Sequence, residues 1–261
     1  MFMRILSSAL FAGCAAGILA ALLQLYFVQP ILLHAELYEG GELVHSFSQP
    51  TTGHHDHAST VEASTPHDHD NTGPVSASAV SANPDPGGID FARDGLSMAF
   101  TILVYCGYSF ILVALMAFAN GMGITITARQ GLVWGVAGFI AVHFAPAFSL
   151  PPEVPGTAAA EVAIRQVWWF STVAATAAAL WLIAFGKSHL AWGVAIILLL
   201  APHVIGAPHP DIFTGPVPPE IAAQFASRAL GVGLAAWTLL GLFVAWFWQR
   251  SGISQGSTQP V

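Results

Sequence analysis

The sequence predicts an all-α, polytopic integral membrane protein with about six transmembrane helices and a long, disordered, His-rich extracytoplasmic loop. Three observations support this fold class. Only 8% of the 261 residues are charged, whereas soluble domains carry roughly a quarter. Apolar residues make up 55% of the chain and gather in six long runs that contain no Asp, Glu, Lys or Arg. A polar, histidine-rich segment separates the first run from the second.

A helix that crosses the bilayer core needs roughly 20 mostly apolar residues. The six runs reach or approach this length and cover residues 5–28, 96–119, 131–150, 166–186, 190–207 and 229–249. The fifth run is the shortest and is interrupted by prolines. Five full spans plus a re-entrant segment is therefore an alternative that the sequence leaves open.

The polar segment after the first span consists mainly of Ser, Thr, Pro, Gly, Ala, His and Asp. This composition cannot bury a hydrophobic core, so we predict that its middle is disordered. Its ends, residues 33–43 and 89–96, could continue the flanking helices. The predicted organisation is a first transmembrane helix at 1–30, the His-rich loop at 31–94, a five-helix transmembrane region at 95–250 and a cytoplasmic tail at 251–261.

The distribution of charge predicts the orientation. With six spans, both termini and two short loops share one side, which holds no acidic residue and the basic residues Arg4, Arg129, Lys187 and Arg250. All 14 acidic residues and three arginines fall on the other side. Because short cytoplasmic loops carry the basic excess, we expect both termini in the cytoplasm and the His-rich loop in the periplasm.

The His-rich loop is predicted to bind a transition-metal ion. Imidazole suits Co, Ni, Cu and Zn, and neighbouring carboxylates complete or orient such sites. Two clusters, HHDH at 54–57 and HDHD at 67–70, offer several nitrogen atoms to one ion. A flexible segment adapts to many ions, so we expect modest affinity and poor selectivity. The candidate ligands are His54, His55, His57, His67 and His69.

A second candidate site lies near the predicted outer ends of spans three and five. Prolines interrupt the helical pattern beside each histidine there, and irregular backbone at membrane depth is tolerated where it lines a cavity or is buried in protein. The candidate ligands are His143, His203, His209 and Asp211. The alternative is that each histidine is only a hydrogen-bonded interfacial residue. An outer gate just beyond span one is a weaker prediction, with His34, Glu36 and Glu39 as its residues.

Other function classes find no support in the sequence. The net charge of −7 and the few basic residues argue against nucleic-acid binding. The Gly186-Lys187 pair lacks the upstream glycine of a phosphate-binding loop, because Trp181 stands at that position. We therefore predict a membrane protein that is surrounded by lipid, is not an enzyme and carries no resident cofactor.

The sequence resembles the CbtA family of probable cobalt transporter subunits. The motifs that carry this resemblance are LHAELYE at 33–39, HFAPA at 143–147, LPPEVPG at 150–156, RQVWW at 165–169, PHVIGAPHP at 202–210 and VPPE at 217–220. The resemblance implies Co²⁺ uptake for cobalamin synthesis across a bacterial inner membrane. It also implies a small one-span partner with terminal histidines, CbtB.

The predicted function is therefore that of a Co²⁺ uptake permease or permease subunit. The identity of the ion comes from the resemblance alone, since nothing in the spacing of the histidines separates Co from Ni or Zn. A nickel or zinc transporter of either direction, including efflux, remains one alternative. A non-transporting membrane metal buffer or sensor remains another, and self-association into a homo-oligomer is left open.

Topology reporters fused at Ser59 and at the C-terminus should report opposite sides of the membrane, with Ser59 in the periplasm, because acidic residues are absent from the predicted cytoplasmic side. Periplasmic phosphatase and cytoplasmic fluorescence reporters measure this directly. A cytoplasmic signal from the Ser59 fusion would contradict the uptake orientation.

Overall fold

The computed structural model describes residues 2–44 and 90–250, and in these ranges the chain is all helical with no β-strand. The α-helices are α1 (Phe2–Leu23), α2 (Gln29–Glu39), α3 (Phe91–Gly121), α4 (Ala128–Phe139), α5 (Ala145–Ser149), α6 (Val162–Phe185), α7 (His189–Ile205) and α8 (Pro219–Arg250). The predicted all-α class is confirmed. The loop histidines at 54–69 lie outside the described residues.

Two short π-helical segments join pairs of these helices into continuous rods. Gln24–Val28 connects α1 to α2, and Ile140–Phe144 connects α4 to α5. Each segment is followed within two residues by a proline, Pro30 or Pro146. A proline ring cannot donate a hydrogen bond and clashes with the carbonyl four residues earlier, so a widened turn before it relieves the crowding. Arg228 of α8 donates a hydrogen bond to the Phe27 carbonyl oxygen, at 3.3 Å.

Five helical rods are long and apolar enough to cross a membrane: Leu6–Glu39, Phe91–Gly121, Ala128–Ser149, Val162–Phe185 and Pro219–Arg250. A multi-pass membrane protein is therefore confirmed. The sixth apolar helix, α7, has only 17 residues, which gives a length of about 25 Å against a bilayer core of about 30 Å. Six full spans are thus not confirmed, and the short helix is the one whose apolar run the prolines interrupt.

The flanking helices reach further into the predicted 31–94 loop than its assigned limits. The first rod continues to Glu39, and α3 begins at Phe91, where the Asp90 side chain accepts hydrogen bonds from the backbone N–H groups of Ala92 and Arg93. Such an N-cap satisfies amide groups that have no partner inside the helix. The expectation that both ends of the loop extend helices is borne out for the residues described.

Helix α8 lies at the centre of the bundle. It packs against α4 along one side and against α1 along another, and α1 in turn packs against α3. Helices α6 and α7 pair with each other, and α6 reaches the bundle through α4, α5 and the Ile140–Phe144 segment. The largest side chains that are fully buried belong to α3 and α8 and include Met116, Leu240 and Trp248.

Glycines set the distance between the packed backbones. A Cβ atom added to Gly241 of α8 would overlap the backbone of Gly131 and Gly135 in α4. A Cβ on Gly17 of α1 would lie 2.7 Å from the Ile102 Cα atom of α3, again too close. In lipid, burial of apolar surface does not drive helices together, so close van der Waals contact at small residues becomes the main source of stability.

Gly241→Ala should destabilise the protein by about 1–3 kcal/mol, because the new methyl group must push α8 away from α4. Gly231→Ala is the matched control in the same helix, since a Cβ there meets no atom within 4 Å. Thermal unfolding of the two purified variants in detergent measures the difference. Equal stability of both variants would contradict this account of the α4–α8 contact.

Candidate functional site

Three parts of the chain meet at one end of the bundle, which we call the cap: the last turns of α2, segment 150–161 and segment 206–218. The two segments are joined by a hydrogen bond from the Ala158 N–H to the Thr214 carbonyl oxygen, at 2.8 Å. Ala35 of α2, Val154 and Val217 bury their side chains against one another. Two of the predicted histidines, His203 and His209, lie in or next to the cap.

The three proposed gate residues occupy α2, but they do not share one face. His34 stacks on Tyr38, with ring centroids 5.7 Å apart. Glu36 and Glu39 are not buried, and Glu39 lies beside Gly156 of the cap, whose φ of +76° favours glycine. Residues two apart in a helix do not face each other, so His34 and Glu36 leave α2 on different faces. The gate of His34, Glu36 and Glu39 stays a prediction.

His203 links α7 to α5 and α6, next to the cap. Its Nδ1 atom lies 2.8 Å from the Ser149 Oγ atom, and its ring lies edge-on to Phe148 and Trp168. Trp168 also donates a hydrogen bond from Nε1 to the Pro202 carbonyl oxygen, at 3.2 Å. A hydroxyl can accept as well as donate, so an Nδ1–H group on His203 can bond Ser149 and leave the Nε2 lone pair available.

A backbone carbonyl group determines the tautomer of the neutral His209 ring. Its Nδ1 atom lies 3.1 Å from the Pro210 carbonyl oxygen, which can only accept a hydrogen bond. Nδ1 must therefore carry the hydrogen, and the lone pair of the neutral ring remains on Nε2. Metal-binding histidines commonly donate their other N–H group in this way. The His209 side chain is exposed, and so is Asp211 two residues later.

The neutral ring of His143 is the opposite tautomer to that of His209. The Trp237 Nε1–H group donates to the His143 Nδ1 atom, at 3.1 Å. An indole nitrogen can only donate, so Nδ1 uses its lone pair and the hydrogen of the neutral ring sits on Nε2. In this conformation neither ring nitrogen is free to bind a metal ion. Phe139 and Tyr108 contact the same ring, so His143 is a partly buried, hydrogen-bonded residue here.

The structure does not gather the four predicted ligands into one site. Across residues 2–44 and 90–250 there is no group of three or more His, Cys, Asp or Glu side chains placed to hold a metal ion. His143, His203, His209 and Asp211 each have separate surroundings. Two of the predicted histidines keep or can keep a nitrogen lone pair: His209 in the cap and His203 next to it.

Sequence reasoning missed a polar contact between the first rod and α3. The Gln29 Nε2 atom donates to the Asp94 Oδ1 atom at 2.6 Å, and Asp94 also pairs with Arg93 at 3.2 Å. Deeper in the bundle, the Thr101 hydroxyl donates to the Gln24 Oε1 atom, at 3.0 Å. Asp94 is buried, although the sequence places it in the loop. The signal that could have found this contact is the pair of glutamines inside or next to an apolar run.

A cavity of about 580 Å³ lies between α3, α4 and α6. Its walls are almost entirely apolar, and they include Tyr108, Trp134, Trp181 and Trp237. A divalent ion in such a cavity would lose its water without gaining ligands, at a large cost in free energy. The cavity is therefore a poor route for a metal ion.

His143→Phe should lower the stability of the protein by about 1–3 kcal/mol, because Trp237 is buried and its N–H group would lose its acceptor. The same change in a Trp237→Phe background should cost less, since no donor is then left unpaired. Thermal unfolding of the four proteins in this double-mutant cycle provides the measurement. Equal losses in both backgrounds would contradict the structural role of His143.

Comparison with known proteins gives the family. The family model described as "Probable cobalt transporter subunit (CbtA)" matches residues 2–249, which is nearly the whole chain. No curated protein and no solved structure matches the chain at a significant level. The match includes the cap segments, His203 and His209, and all but the last residue of the five rods that are long and apolar enough to cross a membrane. The chain therefore belongs to the CbtA family, which is described as probable cobalt transporter subunits.

Proposed function

We propose that this protein is the membrane-embedded subunit of a Co²⁺ uptake system in the bacterial cytoplasmic membrane, with the cap facing the periplasm. The observation that carries the proposal is the family match over residues 2–249. Cobalt delivered by such a system would supply cobalamin synthesis. The charge pattern supports a periplasmic position for the acid-rich side, and the inward direction is the one that the family resemblance implies.

Capture of the ion begins with the five histidines between residues 54 and 69, which raise its concentration near the membrane. The next ligand is His209 at the cap, whose Nε2 lone pair is held ready by the Nδ1–H bond to Pro210. Asp211 is exposed close by in the chain and can supply a carboxylate oxygen. Imidazole together with carboxylate is a suitable donor set for a divalent transition-metal ion.

His203 is the next nitrogen donor inward along α7. Its bond to Ser149 orients the ring, and its position between Phe148 and Trp168 restricts the ring to one orientation. An oriented imidazole loses less entropy on binding than a free one, and partners of this kind raise metal affinity about 10–100-fold in characterised sites. His203 therefore acts after His209, where the ion begins to exchange water for protein ligands.

The membrane potential can drive the uptake. An ion entering an inside-negative cell gains about 2.3 kcal/mol per charge for each 100 mV, or nearly 5 kcal/mol for two charges. The sequence carries no phosphate-binding loop, so the proposal assigns no ATP hydrolysis to this chain. The family's description as one component of a transporter supports a second membrane protein such as CbtB as its partner.

His209→Ala should lower initial Co²⁺ uptake by about tenfold or more at limiting Co²⁺, because the fixed ligand at the cap is lost. His189→Ala is the matched control, since His189 is also exposed but begins α7 at the end opposite the cap. Uptake of radiolabelled Co²⁺ is measured in cells without other cobalt uptake and normalised to protein in the membrane. Cells should accumulate Co²⁺ only when the chain and its partner are present.

Three results would contradict the proposal in different ways. Equal uptake by His209→Ala and wild type would show that His209 of the cap is not part of the pathway. Lower Co²⁺ in cells that express the chain would indicate efflux. Binding of Co²⁺ to membranes without entry into sealed vesicles would indicate a buffer or sensor.

A further inference from the structure

The two cysteines of the chain lie against each other inside the bundle. The Cys14 Sγ atom of α1 is 3.6 Å from the Cys106 Sγ atom of α3. Cys106 is buried and Cys14 is partly buried. Both belong to rods that are apolar enough to span the membrane. No motif or spacing in the sequence brings these residues together, since they are separated by 92 positions.

The backbone, rather than side-chain flexibility, holds the two sulfur atoms at this distance. A Cβ atom on Gly13 would lie 2.6 Å from the Cys106 Cα atom, so only glycine permits this approach of α1 to α3. The Ser109 hydroxyl adds a link between the helices, because it donates to the Ala9 carbonyl oxygen at 2.7 Å and also lies 2.7 Å from the Cys106 carbonyl oxygen. The pair is therefore fixed in advance of any ligand.

The separation of the sulfur atoms is that of an S–H···S hydrogen bond between two thiols, and it is also compatible with tetrahedral coordination of one ion. With a metal–sulfur bond of about 2.3 Å, a sulfur–sulfur distance of 3.6 Å subtends an angle of about 103° at the metal. This angle is close to the tetrahedral value of about 109°, which Zn²⁺ prefers in protein sites. A linear ion such as Cu⁺ would need sulfur atoms about 4.6 Å apart on the same bond length.

We propose that Cys14 and Cys106 are two ligands of a binding site for a divalent ion of tetrahedral preference, of the Co²⁺ and Zn²⁺ class, inside the helix bundle. The inference deepens the proposed function and rests on it only for the identity of the cargo. Both thiols lose a proton when the ion binds, so that M²⁺ and two thiols give a neutral dithiolate complex and two H⁺. A neutral complex is far less costly in an apolar region than a free divalent ion.

The site supplies only two strong protein ligands. Among the described residues no third His, Cys, Asp or Glu completes the group, so water or another small ligand must fill the remaining positions. A two-ligand site holds an ion weakly, which is the property that an ion in transit requires.

Co²⁺ itself is the probe. The reduced, purified full-length chain is titrated with Co²⁺, and the near-ultraviolet band of thiolate-to-cobalt charge transfer is recorded. One such band per chain should appear in wild type and be lost in Cys14→Ser and in Cys106→Ser. It should persist in His209→Ala and in a chain without residues 52–72, because nitrogen ligands give no thiolate band. Absence of the band from wild type at saturating Co²⁺ would overturn the site, as would its persistence in either serine variant.

A second pair of variants separates the thiols without removing them. Gly13→Ala pushes α1 away from α3 and should lower the Co²⁺ affinity measured by the thiolate band at least tenfold. Gly107→Ala is the control next to Cys106, because a Cβ there meets no atom within 4 Å. Equal affinities in the two variants would overturn the preset geometry. If the wild-type chain shows the band but no uptake, the thiolate site is supported and the proposed function is rejected. If it shows normal uptake but no band, the proposed function is supported and the thiolate site is rejected.

Discussion

The close approach of helix backbones at glycines is the constraint on which the rest of this structure depends. Lipid tails offer no hydrophobic force that would press apolar helices together, so the bundle must gain its stability from dense contact. Gly131 and Gly135 bring α4 onto α8, and Gly13 and Gly17 bring α1 onto α3. Helix α8 joins both pairs because it packs against α4 and α1 alike.

The functional chemistry follows from these contacts. The Trp237 ring lies directly over Gly138, where any side chain would overlap it, and from there its N–H group reaches His143. That bond occupies the lone pair of the His143 Nδ1 atom and joins the partly buried imidazole to the buried Trp237 ring. On the other pair, the contact at Gly13 presses Cys14 against Cys106. The same packing principle thus engages one nitrogen of a predicted ligand and brings together the two thiols that we propose as ligands.

Much of the fold could be predicted because a membrane helix depends mainly on the hydropathy of its own stretch of sequence. Each of the six predicted runs coincides with a helical segment, and the weakest of them is α7, which is shorter than the five candidate spans. The exact ends could not be predicted, since polar residues such as Glu36 and Asp94 continue helices beyond the apolar runs. The π-helical turns before Pro30 and Pro146 also depend on crowding that a hydropathy pattern does not record. The hydrogen-bond partners of the candidate ligands could not be predicted from the sequence, because His143 and His203 bond residues that are 94 and 54 positions away.

The central claim is that this chain, with its partner, moves Co²⁺ inward along the membrane potential. Its most direct test is Co²⁺ entry into proteoliposomes that contain the purified chain and a CbtB-like protein, with an inside-negative potential set by a potassium gradient and an ionophore. The account predicts Co²⁺ accumulation without ATP that stops when the potential is collapsed. No accumulation at any imposed potential, with both proteins present and correctly oriented, would contradict it.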